Sequence, residues 1–138
     1  MDFTLPPEIE DVRLSTRAFV DINDNIVIGG FFLTDHGGTD RLVLRGIGPS
    51  LFGQGVSNAL PDPTLELRDG NGALIRANDD WHDDPSQSAL VSGAGLAPTN
   101  NLESAIAETL PPGPYTGLLR GRGNTTGIGL VEVYDLGP

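Results

Sequence analysis

The sequence has no cysteine and no lysine, a single tryptophan, and no apolar run near the roughly 20 residues that a membrane-spanning helix needs. Without cysteine the chain forms neither disulfides nor thiolate metal sites. Its eight basic residues are all arginines and stand against 19 acidic residues, for a net charge of −11. Nucleic acids and anionic membranes both require a positive surface, so we expect the chain neither to bind nucleic acid nor to insert into a membrane.

The residue types of catalysis are also scarce. There are two histidines, His36 and His82, and Ser50 lies in a Gly-Pro-Ser-Leu-Phe stretch that lacks the last glycine of a nucleophile elbow. The Gly-x-Gly pairs never extend to a phosphate-binding fingerprint. A carboxylate pair for glycoside hydrolysis remains an alternative, because the 19 acidic residues offer many pairs and their spacing selects none of them. We predict that the protein is not an enzyme and name no catalytic residue.

The 19 glycines and 11 prolines of this 138-residue chain indicate many turns. Between them lie short runs of β-forming residues, at 12–20, 26–33, 40–47, 64–68, 73–77, 115–120 and 127–134. Residues 103–110 fit a helix or a strand, and residues 86–98 fit one short helical turn. The predicted fold is all-β: an antiparallel β-sandwich, jelly-roll-like, with about eight strands.

We divide the chain into an extended N-terminal arm or linker, residues 1–11, and a single sandwich domain, residues 12–138. The run 26–33 is apolar on both alternating faces, which predicts a strand buried on both sides, or one that is central in the sandwich. Gly29 and Gly30 within it indicate a bulge or the close approach of another backbone. The same strand and the arm are also candidates for pairing with a neighbouring copy of the chain.

The densest group of acids follows a predicted hairpin. Its turn is Asp69-Gly70-Asn71-Gly72, and its second strand leads into Asp79-Asp80-Trp81-His82-Asp83-Asp84. Calcium prefers carboxylate and amide oxygens, so the predicted metal ligands are Asp79, Asp80, Asp83, Asp84, Asp69 and Asn71. A solvated acidic loop without metal is the alternative. The turn at residues 21–25 begins like an EF-hand loop, but Ile26 occupies the position that requires glycine.

The tryptophan in this acidic stretch has two interpretations. Trp81 and His82, flanked by carboxylates, resemble a sugar-binding platform and are the predicted ligand-binding residues. Alternatively, the indole of Trp81 folds back over the sandwich and serves packing.

The arginines at the ends of strands predict cross-strand ion pairs with Glu66, Glu103 or Glu132. Arg45 has a second possible role, in which it binds carbonyl groups of the irregular loop at residues 48–55.

Several segments in combination resemble a repeated β-rich module of large secreted bacterial surface proteins, over residues 14–136. They are LSTRAFV, NIVIGGFFL, RLVLRGIGPSL, ALPDPTLELRDGNGALIRANDDW, ESAIAETLPPGPYTGLLRG and TTGIGLVEVYDL. The tail at residues 110–135, LPPGPYTGLLRGRGNTTGIGLVEVYD, is also similar to pre-peptidase C-terminal β-sandwich domains. That similarity implies an accessory domain of a secreted enzyme, of a type that binds calcium or polysaccharide.

The sequence therefore predicts a non-catalytic extracellular accessory module for adhesion or carbohydrate attachment, with calcium as its candidate cofactor. Its expected partners are polysaccharide or other surface proteins, or further copies of the chain. No signal peptide is recognisable, so the chain is either cytoplasmic or a piece of a longer secreted or cell-surface protein. The module-like segments favour the second, and we expect a secreted or cell-surface location. The alternative function is a structural building block or spacer that pairs with copies of itself.

Overall fold

The computed structural model describes residues 11–20 and 26–138, which form eight strands and one α-helix. The strands are β1 (Asp11–Val20), β2 (Val27–Leu33), β3 (Asp40–Ile47), β4 (Pro63–Asp69), β5 (Leu74–Asn78), β6 (Ser104–Leu110), β7 (Gly113–Gly121) and β8 (Gly127–Asp135). The helix, α1, is Pro85–Gly93, and short 3-10 helices occupy Pro49–Gln54 and Arg122–Asn124. The predicted arm and the turn at 21–25 lie outside these residues, except Asp11.

The strands form two four-stranded sheets, with the orders β1-β8-β3-β6 and β2-β7-β4-β5. All neighbouring strands are antiparallel. This interleaved order is that of a jelly roll and confirms the predicted fold class. Each sheet turns alternate side chains inward, and buried aliphatic residues of both sheets fill the space between them.

A second apolar layer lies outside the first sheet, where α1 covers β3, β6 and β8. Trp81, Val91 and Leu96 pack there on Val43 and Tyr134. The helix is longer than the single predicted turn because Asp84 caps its start, accepting hydrogen bonds from two backbone N–H groups, and proline occupies its first turn.

The ambiguous run 103–110 is a strand from Ser104, since it pairs along its length with β3. The predicted strand at residues 26–33 is present as β2, but the prediction of its burial and central position was wrong. β2 is an edge strand, and Ile28 and Phe32 are 58% and 60% exposed. No bulge occurs at its glycines, because the register with β7 is continuous from Val27 to Leu33. An apolar run does not distinguish a central strand from an edge strand with an apolar outer face.

Among the described residues, no helix is long and apolar enough to cross a membrane.

Candidate functional site

Three aspartates meet at one end of the β4–β5 hairpin. Asp62 immediately precedes β4, while Asp79 and Asp80 immediately follow β5. Since Leu65 pairs with Asn78, the start of β4 and the end of β5 lie at the same edge of the sheet. One carboxylate oxygen from each residue lies within 4.8 Å of the other two. We call Asp62, Asp79 and Asp80 the aspartate triad.

Each member of the triad has one oxygen without a partner. The Oδ1 atoms of Asp62, Asp79 and Asp80 are buried and accept no hydrogen bond. A buried polar atom without a partner is costly, and a buried carboxylate oxygen more so than a neutral one. Three carboxyl groups with oxygens within 4.8 Å of one another, each with one buried oxygen that lacks a hydrogen bond, form a set of hard donors that a positive charge or a proton would stabilise.

One arginine balances the triad in part. The Nη1 group of Arg122 donates to Asp79 Oδ2 over 2.6 Å, and the Arg122 backbone N–H donates to the Asp62 carbonyl over 2.8 Å. Its side chain is 63% exposed, which weakens the ion pair. A single guanidinium therefore leaves two of three negative charges uncompensated.

The pKa values of the triad agree with an excess of negative charge at this position. Burial is the main cause that raises the pKa of all three carboxyl groups above the usual range of aspartate. Like charges add to the rise, chiefly Asp62 acting on Asp79 and Asp79 acting on Asp80, while Arg122 opposes it. The fold thus holds three carboxylates in a state that a proton or a cation would relieve.

No family model matches the chain, and no curated protein matches it. Among solved structures, it is similar to the pre-peptidase C-terminal domain of the collagenase from Bacillus anthracis. The two share 10% sequence identity, the match covers 88% of this chain and 89% of that chain, and the TM-score is 0.53. This likeness concerns the fold, and in the fold it agrees with the expected similarity to domains of this type. The resemblance to a repeated surface-protein module stays a prediction.

The structure disperses the predicted metal ligands other than Asp79 and Asp80. Asp83 is exposed nearby and contributes a like charge to the triad. Asp84 caps α1 through its Oδ1 atom. Asp69 accepts the N–H groups of Asn71 and Ala73 and so closes the hairpin turn, in which Asn71 is exposed.

The predicted ligand-binding pair lies beside the triad. Trp81 is 8% exposed and packs in the layer beneath α1, and its backbone N–H donates to the Glu103 carbonyl over 2.9 Å. His82 is exposed, and its ring centroid lies 3.6 Å from that of Trp81. In this arrangement the buried indole has no open face for a sugar, and sugar binding by these residues stays a prediction.

Asp62 is the residue that the sequence analysis missed. It stood alone in a proline-containing loop, apart from the acid cluster. The signal that would have found it is the hairpin itself. Folding the two predicted strands about residues 69–72 brings position 62 level with the first acids after the second strand.

In the part of the chain that the structure describes, Ser50 and His36 contact different carboxylates and do not form a catalytic relay with each other. The Ser50 hydroxyl contacts the Glu103 carboxylate, whereas His36 contacts Asp40. Glu103 is fully buried, and its Oε2 atom also accepts the N–H groups of Gly48 and Ser50 at 2.9 Å each. This carboxylate holds the loop after β3 in place.

Proposed function

We propose that the chain is a non-catalytic accessory module of an extracellular protein, and that calcium bound to the aspartate triad stabilises it. Two observations carry the cation: one carboxylate oxygen of each triad member lies within 4.8 Å of those of the other two, and each member has a buried Oδ1 atom without a hydrogen bond. Calcium binds six to eight oxygens in flexible geometry, so three carboxylates with water or further oxygens suit it. Magnesium demands a stricter octahedron, and soft metals prefer thiolate or imidazole ligands.

We expect calcium to raise the midpoint of thermal unfolding relative to a chelator. A ligand that binds only the folded state at 100 times its Kd adds about 2.7 kcal/mol, roughly 10 °C for a domain of this size. The variant Asp80→Asn should lose the calcium response. In chelator the same variant should be more stable than the wild type, because it removes one of the repelling charges.

The control is Asp83→Asn, which makes the same change of charge at an exposed neighbour outside the triad. It should keep most of the calcium response. A wild type that responds to neither calcium nor magnesium, or that responds to both equally, would contradict a calcium site. So would a full response in Asp80→Asn.

The effect of calcium should depend on pH. The folded pKa values of the triad are raised, so these groups favour folding below the unfolded pKa, and that contribution is lost as pH rises through the folded values. In chelator, stability from the triad therefore rises as pH falls from about 7 to about 4. With calcium the increment is largest near neutral pH and shrinks in acid, because protons compete for the same oxygens.

The measurement is urea unfolding with calcium and with chelator at each pH, and the readout is the difference between the two. This difference cancels the titration of groups remote from the triad, such as His36, whose pKa is raised mainly by its hydrogen bond to Asp40. An increment that stays constant down to the acid end would mean that calcium binds elsewhere.

The accessory role is supported by the jelly-roll architecture and by the separation of Ser50 from the imidazole groups. Its test is retention of the purified domain on a panel of insoluble polysaccharides, together with release of reducing sugar from each. We expect retention without release. Release of sugar would contradict a non-catalytic module, and failure to bind any member of the panel would contradict attachment to polysaccharide.

A further inference from the structure

Three of the four sheet edges in the described residues carry a device that discourages pairing with another strand. On β6, the side chains of Asn78 and Gln87 bind the backbone of the outer edge. β5 has five residues, includes Arg76 and is irregularly paired with β4. β1 has a register shift near its start and an exposed Arg17. Charges, bulges and covers of this kind are how sheets avoid association through their edges.

The fourth edge, β2, has no such device among residues 11–20 and 26–138. Its sequence VIGGFFL contains no charge and no proline, and within the described part of the chain its one partner is β7. Three successive outward positions, Ile28, Gly30 and Phe32, are exposed. The residues opposite them on β7 are Leu118, Thr116 and Pro114, which are also uncharged. On a chain of net charge −11, this edge and its outer face form a neutral surface.

Gly30 is not required by the fold of one copy. A Cβ atom added there meets nothing within 4 Å, and its φ is not in the left-handed region. Glycine in the interior of a strand weakens the strand, and it marks places where another backbone or ligand approaches closely. The fold of a single copy therefore does not explain Gly30.

We propose that β2 pairs antiparallel with β2 of a second copy, about a two-fold axis at Gly30. This register pairs all seven residues of the strand and places Gly30 opposite Gly30. It sets Ile28 opposite Phe32 of the other copy, twice, on the outer face. Pairs of an aromatic and a β-branched residue favour antiparallel sheets, and Gly30 leaves space into which both Phe32 rings can lean.

The pairing joins the two β2-containing sheets into one of eight strands and satisfies the open backbone groups of both edges. It is isologous, as expected of a symmetric dimer, so it closes without forming filaments. Repulsion between like charges is the main obstacle to self-association of such an acidic chain, and the uncharged surface keeps these charges out of the contact. This inference does not rest on the cation site, which lies beyond β7 and β4 at the far side of the same sheet.

Sedimentation equilibrium over a concentration series tests the pairing. The wild type should pass from monomer to dimer with rising concentration. Ile28→Lys should weaken the dimer at least about tenfold, because it removes both cross-strand pairs and places an ammonium group at each. The matched control is Leu90→Lys on α1, since Leu90 is also 58% exposed. It should leave the dimer unchanged.

The register is tested by complementation. Ile28→Lys and Phe32→Glu should each be monomeric alone, and a mixture should form a heterodimer, because the introduced lysine and glutamate then face each other. Ile28→Lys mixed with Phe32→Lys should not associate. These substitutions lie on an exposed surface, and circular dichroism verifies that each variant is folded.

Cross-linking gives a second readout, since the chain has no native thiol. Gly30→Cys should cross-link to a dimer with a short bismaleimide far faster than Gly53→Cys, at which an added Cβ also meets nothing within 4 Å. Equal rates for the two variants would overturn the proposal. A wild type that stays monomeric throughout the series, or dimers that survive in Ile28→Lys, would also overturn it.

Discussion

Replacement of Glu103 by alanine is expected to lower the free energy of unfolding by about 3–5 kcal/mol, because two backbone N–H groups and the Ser50 hydroxyl lose their acceptor at about 1–3 kcal/mol each. The Glu103 carboxylate is fully buried, and its Oε2 atom accepts two backbone N–H groups, from Gly48 and Ser50. Both N–H groups lie at the start of the 3-10 helix that follows β3. Without the carboxylate these donors lose their partner, at a buried position for Gly48 and a partly buried one for Ser50.

The surroundings of this loop leave little room to relax. A Cβ atom at Gly48 would lie 2.1 Å from the Leu60 carbonyl oxygen, so the chain is already in close contact there. The Glu103 carbonyl also accepts the N–H of Trp81, which joins the loop to the acidic stretch and to the layer beneath α1. The loss of stability should therefore affect the loop after β3, the acidic stretch and the layer beneath α1, and not the loop alone.

Urea unfolding of three variants checks this expectation. Glu103→Gln keeps one acceptor for the N–H groups and should cost less than Glu103→Ala. The control is Glu66→Ala, whose carboxylate pairs with Arg68 at the surface over 3.2 Å and should contribute at most about 1 kcal/mol. If Glu103→Ala cost no more than the control, the assigned role of the buried carboxylate would be wrong.

Glu103 also shows where prediction from sequence stopped. Arginines at strand ends predict ion pairs with Glu66, Glu103 or Glu132, and Arg45 does face Glu132 across β3 and β8, with its Nε 3.0 Å from Glu132 Oε1. Glu103 instead binds backbone N–H groups. The carbonyl that Arg45 contacts is that of Leu96, outside the loop at residues 48–55. The sequence shows the type and charge of each of these residues. The partner of each one depends on contacts between segments that lie about 50 residues apart along the chain.

The same limit explains why the fold could be predicted better than the candidate site. Strand positions follow from local alternation and turn residues, and these were predicted well. The edge position of β2 depends on which strands pair, which no local pattern encodes. The meeting of Asp62 with Asp79 follows from the predicted β4–β5 hairpin, but the cluster of acids after β5 did not draw attention to position 62. Asp80, adjacent in sequence to Asp79, was found because the loop after β5 is a local feature.

Gln87 should be nearly as important to stability as Glu103, although it carries no charge. From α1 its side-chain Nε2 donates to the Ala107 carbonyl over 3.0 Å, and its Oε1 accepts the Ala107 N–H over 2.8 Å. The amide therefore forms the two backbone hydrogen bonds that a residue of a neighbouring strand would form with the outer edge of β6. Gln87 is itself buried, so water does not replace it when it is removed.

We expect Gln87→Leu to lower the free energy of unfolding by about 2–4 kcal/mol, since two buried backbone groups lose their partners at about 1–3 kcal/mol each. Leucine has a similar size, so the loss would come from hydrogen bonding more than from packing. The control is Ser86→Ala, an exposed position on the same helix that should change stability by less than about 0.5 kcal/mol. Urea unfolding measures both variants.

Hydrogen exchange locates the effect of Gln87→Leu within the fold. Val91 and Ala94 still hold α1 on the sheet through apolar contacts, so the helix should stay docked. Exchange at the Ala107 amide should then accelerate more than exchange at the amides that β6 shares with β3, because the local protection is lost in addition to the global stability. Uniform acceleration along β6 would mean that Gln87 contributes to general packing and does not cap this edge. In that case the edge at β6 would also be unprotected, and β2 would no longer differ from it.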